Sequence, residues 1–152
     1  PLEDVLQRNY RINLSYVINE SFTFKSRIEF VTVHRNSTGQ KRGMLITQDL
    51  LYKPKSFPLD FSLRYALFDT DDYDTRLYSF ENNALYAFAV PAYYYQGSRA
   101  YVLIRYSFLR HCDLWVRYGV FLYNNRTSIS SGAEGIIGSR KTDLIVQLRI
   151  SL

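Results

Sequence analysis

The chain is poor in the residues that build most enzyme and metal sites. It has one cysteine, one methionine, one tryptophan and two histidines in 152 residues. A lone Cys112 excludes a disulfide framework and a cysteine-built metal set, and no role is expected of its thiol. His34 and His111 stand far apart, each at the end of a strand pattern, so neither has a partner for base or ligand chemistry. No Ser-His-Asp order, GxSxG elbow, phosphate-cradling glycine loop or HExxH is present. No catalytic residue and no cofactor are therefore expected. Lys/Arg runs never exceed pairs such as Lys41-Arg42 and Arg140-Lys141, too short for a nucleic-acid footprint. No apolar run approaches the roughly 18 residues of a membrane helix. The chain is then either soluble or crosses a membrane as strands, whose signal per segment is weaker. It opens PLEDVLQRNY, without initiator Met, basic n-region or apolar h-region. For an exported protein this leads to the expectation of a removed upstream signal, and of a fragment.

What is abundant is aromatic and alternating. Tyr (14) and Phe (10) dominate an aromatic content of 16%, hydrophobic residues make up 47%, and mean hydropathy is only −0.21. Tyrosine excess suits strands and the aromatic girdles of membrane barrels. The net charge of +5 suits anionic partners such as lipopolysaccharide or phospholipid heads, although arginines spread over polar strand faces account for it equally.

Successive strand side chains point to opposite faces, and several segments follow that period. In 141–152 (KTDLIVQLRISL), Leu144, Val146, Leu148, Ile150 and Leu152 oppose Asp143, Gln147, Arg149 and Ser151. Leu114, Val116, Tyr118, Val120 and Leu122 oppose Asp113, Trp115, Arg117 and Gly119. The same alternation runs through 10–18, 22–33, 59–67 and 100–108, and less clearly through 44–53. Short connections are expected at 19–21, 54–58 and 110–112. Long loops are expected at 34–42, 69–98 and 124–139. The excursion 69–98 is read as an extracellular insertion with its own hairpin around Glu81-Asn82-Asn83. Short and long connections then alternate as in bacterial outer-membrane barrels, giving seven spanning strands; a spanning 76–90 would make eight.

Arg11, Arg27, Arg64, Arg105, Arg117 and Arg149 share the polar face with Glu29, Asp49, Asp60, Asp113 and Asp143. Each arginine facing lipid at midplane would cost about 2–4 kcal/mol, so these residues are expected to face a lumen, as a structural ladder or as the lining of a pore. The acids Asp69, Asp71, Asp72 and Asp74 form either a solvated outer loop or a weak Ca²⁺ candidate, which lacks the EF-hand glycine and bidentate Glu. Arg76 and Arg99 flank that loop and are expected to clamp these acids. Tyr93, Tyr94 and Tyr95 offer rings for stacking on sugars or bases, or for a girdle.

The stretch FDTDDYDTRLYSFENNALYAFAVPAYYYQGSRAYVLIRY (68–106), with DLWVRY (113–118) and VQLRISL (146–152), resembles the carboxyl-terminal barrel region of Gram-negative outer-membrane proteins that carry helix-hairpin-helix repeats. The likeness extends from about Met44 onward, and its most specific parts are DT-x-x-YDTR-x-Y and VPAYY-x-x-GSR. It implies a bacterial outer-membrane location and closure of the barrel by the terminal strand. The repeats themselves are absent from these residues, so DNA contact does not carry over.

The expected fold is all-β: one segment, 1–152, of an antiparallel up-and-down transmembrane β-barrel, its carboxyl-terminal portion, with about seven to eight strands. Its expected role is structural, porin-like or transport-related, without catalysis. Its expected partners are outer-membrane lipid or lipopolysaccharide and the upstream remainder of its own barrel, with no direct nucleic-acid binding. The alternative is a soluble β-sandwich that binds glycan through the Tyr-rich loop, its oily faces buried against each other. A barrel lipase is a weaker third option, because no Ser/His pair is found. Seven strands also imply that the first and last do not pair with each other.

Overall fold

A computed structural model describes residues 4–124, 126–129 and 136–151. The fold is all-β and built on one seven-stranded antiparallel sheet. Its strands are β1 (Val5–Val17), β2 (Phe22–Arg35), β3 (Gly39–Tyr52), β4 (Leu59–Thr70), β7 (Gln96–Leu109), β8 (Cys112–Tyr123) and β11 (Arg140–Ile150), in that spatial order. Two small pairs complete it: β5 (Leu77–Tyr78) with β6 (Ala92–Tyr93), and β9 (Ser128–Ile129) with β10 (Ile136–Ile137). β1 and β11 are the two edges, and they do not pair with each other.

Every expected long strand is present, and most are longer than the alternation alone indicated. The loop expected at 34–42 is a correction. β2 and β3 stay in register up to Arg35 opposite Gly39, leaving only a tight turn at 36–38. Gly39 has φ +74, the left-handed position that closes a three-residue hairpin loop. Lys41 and Arg42 are polar, but a strand end that carries charge still pairs through its backbone. The long connections that remain, after β4 and after β8, share one end of the sheet with this turn. The short connections, including the two-residue Arg110-His111 turn, lie at the other end.

The outer face carries the oily positions. Leu144, Val146, Leu148 and Ile150 are all exposed, Leu144 at 65% and Val146 at 63%. Tyr118 and Leu122 are exposed, and Leu114, Val116 and Val120 are half-buried by their neighbours on the same face. Leu152 lies outside the described residues. Tyr10 pairs across to Phe30, and Tyr16 to Phe24. These two aromatic rungs sit about 20 Å apart along the strands at ~3.4 Å per residue. One polar pair interrupts the face, Gln48 Nε2 donating to Ser26 Oγ at 3.0 Å.

The core lies on the opposite, inner face. Val31, Val33, Leu45, Ala66, Phe68, Phe121 and Tyr123 of the sheet pack against Leu77 and Tyr93 of the 71–95 excursion and against Ile129. Phe68 meets Tyr93 edge-on at 5.5 Å and Phe121 at 6.0 Å. The excursion, read from the sequence as an outer insertion, is not raised beyond the end of the sheet. It folds back over the inner face, where Leu77 and Tyr93 pack into the core and Glu81 meets Arg99 and Arg117. Its tip is also shifted. A bridge joins Glu81 to Ala89, and Ala87 N–H donates to Ala84 C=O at 3.1 Å, so the turn is at 84–87 and not at 81–83.

Candidate functional site

The inner face is crossed by registered rows of side chains. One row runs Ser15, Lys25, Asp49, Arg64, Tyr101, Gly119, Asp143 across all seven strands. Alternation places these residues on one face, and the register places each beside its partner.

The arginines expected on this face are all there, each tied to an acid. Arg11 donates to Glu29 at 2.8 Å, and Arg27 donates to the other oxygen of Glu29 through Nε at 2.9 Å. Arg64 grips both oxygens of Asp49, with Nη2 to Oδ2 at 2.7 Å. Arg105 reaches Asp113 at 3.1 Å and, more distantly, Asp60 at 3.5 Å. Arg149 closes on the second oxygen of Asp113, and Arg117 on Asp143. Bidentate and chained pairs of this kind orient one another through the rigid guanidinium fork.

The centre of the site was not foreseen. Glu81, from the excursion, is fully buried. Its Oε1 accepts from Arg99 Nε at 3.1 Å and from Tyr93 Oη at 2.8 Å. Its Oε2 accepts from Arg99 Nη2 at 3.0 Å and also from Arg117. Asp143 binds the same two arginines from the other side, with Arg99 Nη1 at 2.6 Å. The result is a closed ring of two carboxylates and two guanidinia, which leaves no uncompensated buried charge. Gly119 makes room for it: a Cβ there would stand 2.6 Å from Arg99 Nη2 and 2.7 Å from Asp143 Oδ1.

Further bonds fasten the excursion to the wall. Arg64 Nη1 donates to Ser79 Oγ at 3.0 Å and to Phe80 C=O at 2.6 Å. Arg27 Nη2 donates to Tyr78 C=O at 3.0 Å. Asn82 donates through Nδ2 to Ser62 Oγ at 2.8 Å and through its backbone N–H to Tyr101 Oη at 3.0 Å. Arg117 Nε donates to Asn82 C=O at 3.2 Å.

The arginine clamp on the acidic loop is a correction. Arg99 belongs to strand β7, and its inward side chain is spent on Glu81 and Asp143. Arg76 lies against the Tyr73 ring at 4.3 Å and donates to Tyr78 Oη at 2.7 Å. The acids find other cations: Asp72 pairs with Lys41, and Asp74 with Arg35 at 3.3 Å. Asp71 accepts from the Arg42 backbone N–H at 2.7 Å, and Asp69 from Gln96 Nε2 at 3.3 Å. Spread over these partners, the four acids do not converge. Among the described residues no group of three or more His, Cys, Asp or Glu could hold a metal ion, so the Ca²⁺ candidate is withdrawn.

Asp72 also caps the short 3-10 turn Tyr73–Thr75 through its side chain. Burial opposes its charge, but the bonds from Lys41 and from the Asp74 and Thr75 segment outweigh that and hold its pKa below the usual 3.8. The tyrosines divide. Tyr93 is buried in the core and cannot stack on a ligand. Tyr94 packs edge-on against Tyr73 at 5.2 Å and Tyr95 at 4.9 Å, and Arg126 lies 3.7 Å over the Tyr95 ring. The loop tyrosines are thus mainly packing groups.

One signal in the sequence pointed to Glu81. Once Arg99 is counted on the wall with the other arginines, the wall's own acids fall short, so a carboxylate had to arrive from another segment. Comparison with known proteins brings no further assignment: no family model, no curated protein and no solved structure matches this chain.

Proposed function

We propose that the chain is a transmembrane β-barrel segment of a bacterial outer membrane, whose lumen is narrowed by the 71–95 excursion. Its role in this reading is structural or transport-related, and its surroundings are outer-membrane lipid on one side and the complementing strands of the barrel on its edges. The resemblance to helix-hairpin-helix outer-membrane proteins gives the same location. One observation carries the reading: the sheet leaves its apolar face open while covering its charged face. A water-soluble fold does the reverse, and an exposed apolar patch of this extent marks a membrane or partner surface. Strands of 11 to 14 residues meet or exceed the roughly 9–11 needed to cross hydrocarbon at a tilt. An excursion folded inward onto a polar wall is one of the ways barrels close their lumens.

The test is site-directed spin labelling of the chain in lipid vesicles. Labels at Leu144, Val146 and Leu148 should collide with oxygen and resist a water-soluble nickel chelate. Labels at Gln147 and Asn13 should show the opposite. A chain that stays monomeric in detergent-free buffer, with the labels at 144, 146 and 148 immobilised inside protein, would establish the sandwich alternative instead.

A further inference from the structure

Beneath the inserted hairpin, toward the 54–58 turn, lies a cavity of about 620 Å³. Its wall carries Lys25, Lys53, Arg105 and Asp60, its apolar side includes Trp115 and Leu103, and Phe80 and Phe88 of the hairpin hang over it. The charge balance of this cavity differs from that of the ring above it. Asp49, the cross-strand neighbour of Lys25, has both oxygens taken by Arg64. Among the described residues neither Lys25 nor Lys53 has an acidic partner. Asp60 is 3.5 Å from Arg105 and is the one acid lining the space. Arg105 Nε is hidden from solvent without a hydrogen-bond partner among the described residues. Its guanidinium stands 5.5 Å from the Trp115 ring centre, and that of Arg149 stands 5.6 Å from it.

We propose that this cavity is a binding site for a small anion with a flat apolar body, such as an aromatic carboxylate. The lysines supply charge for the anionic group, and Trp115, Leu103 and Phe88 supply a slot for the ring. Lys25 and Lys53 are exposed at the mouth of the cavity, so an anion there meets cations not already matched by an acid, whereas at the ring of Glu81 every charge is matched. The inference concerns the inner face and does not depend on whether the outer face meets lipid.

Trp115 is the only tryptophan in the chain, so its fluorescence reports on this cavity alone. The full chain in nonionic micelles is titrated with 4-nitrobenzoate, with neutral 4-nitrobenzamide and with 4-nitrobenzyltrimethylammonium. Saturable quenching is expected for the carboxylate, weaker binding for the amide, and none for the cation. In K25Q/K53Q the carboxylate should bind about ten-fold more weakly, the order expected for two removed cations at a partly screened site. K25R/K53R should retain binding, which covers the case in which the glutamine variant loses its sheet signal in circular dichroism. Equal quenching by all three probes, or unchanged carboxylate binding in a folded K25Q/K53Q, overturns the proposal. Spin labels at 144 and 146 on the same preparations keep the two readings apart: quenching without lipid exposure removes the membrane reading only, and lipid exposure without quenching removes this site only.

Discussion

Among the groups that hold the excursion to the sheet is one fully buried carboxylate. Glu81 sits fully buried between Arg99 and Arg117 and takes a further bond from Tyr93. Replacing it with Gln removes the charge but not the volume, and an amide N–H2 then faces a guanidinium. Breaking one member out of a buried ion network typically costs about 3–5 kcal/mol. E81Q is therefore expected to lower the unfolding free energy of the chain in micelles by an amount of that order, read as a lower denaturant midpoint at unchanged m. N83A, at a residue whose side chain bonds only its own turn, should change it little. Equal midpoints for E81Q and the unsubstituted chain would show that the excursion is held by its apolar packing and not by the ring.

At the scale of elements, the excursion has two attachments of different chemistry. The deep one joins Glu81, Ser79 and Asn82 to the wall arginines and Ser62. The outer one joins the turn Tyr73–Thr75 to β2 and β3 through Asp74–Arg35 and Asp72–Lys41. The pH response of the outer attachment follows from the depressed pKa of Asp72. A carboxyl held below its usual 3.8 contributes stability that is present above that value and lost as pH falls through the folded pKa. Hydrogen exchange at the Asp74 amide, which donates to Asp72 Oδ1 at 2.9 Å, should stay equally protected between pH 7 and pH 5. Its protection should drop only below about pH 4. Loss of protection already near pH 5 would mean that Lys41 does not stabilise the Asp72 carboxylate.

For the molecule as a whole, the decisive fact is that the sheet is open. Each step of the order β1-β2-β3-β4-β7-β8-β11 is antiparallel, so β1 and β11 run in the same direction. Joined to each other they would make a parallel pair. An all-antiparallel barrel therefore needs an odd number of additional strands between these edges, in keeping with the even strand numbers of bacterial barrels. All of β1 is exposed on both faces, the condition in which an edge templates further pairing. In micelles of the chain alone, the alternate β1 amides that point away from β2 should exchange within minutes, while those of β3, β4 and β7 are slow. Uniform protection along β1 would show that a second copy or β11 covers the edge.

By itself the sequence determined the strands, their faces and the arginine-rich wall, because period-2 alternation is a local property written in neighbouring residues. Alternation alone puts Arg11, Arg27, Arg64, Arg105, Arg117 and Arg149 on one face and the exposed row from Leu144 to Ile150 on the other. Only the tertiary structure decided where 71–95 goes and which charges meet. Glu81 lies 18 residues from Arg99 and 36 from Arg117, and nothing local ties them together. The clamp assigned to Arg76 and Arg99 failed for the same reason. Sequence proximity ranked these arginines nearest to the acids, while the register turned Arg99 inward and brought Lys41 and Arg35 to Asp72 and Asp74 across the sheet. Faces follow from alternation along one strand, but partners follow from the folding of one segment over another.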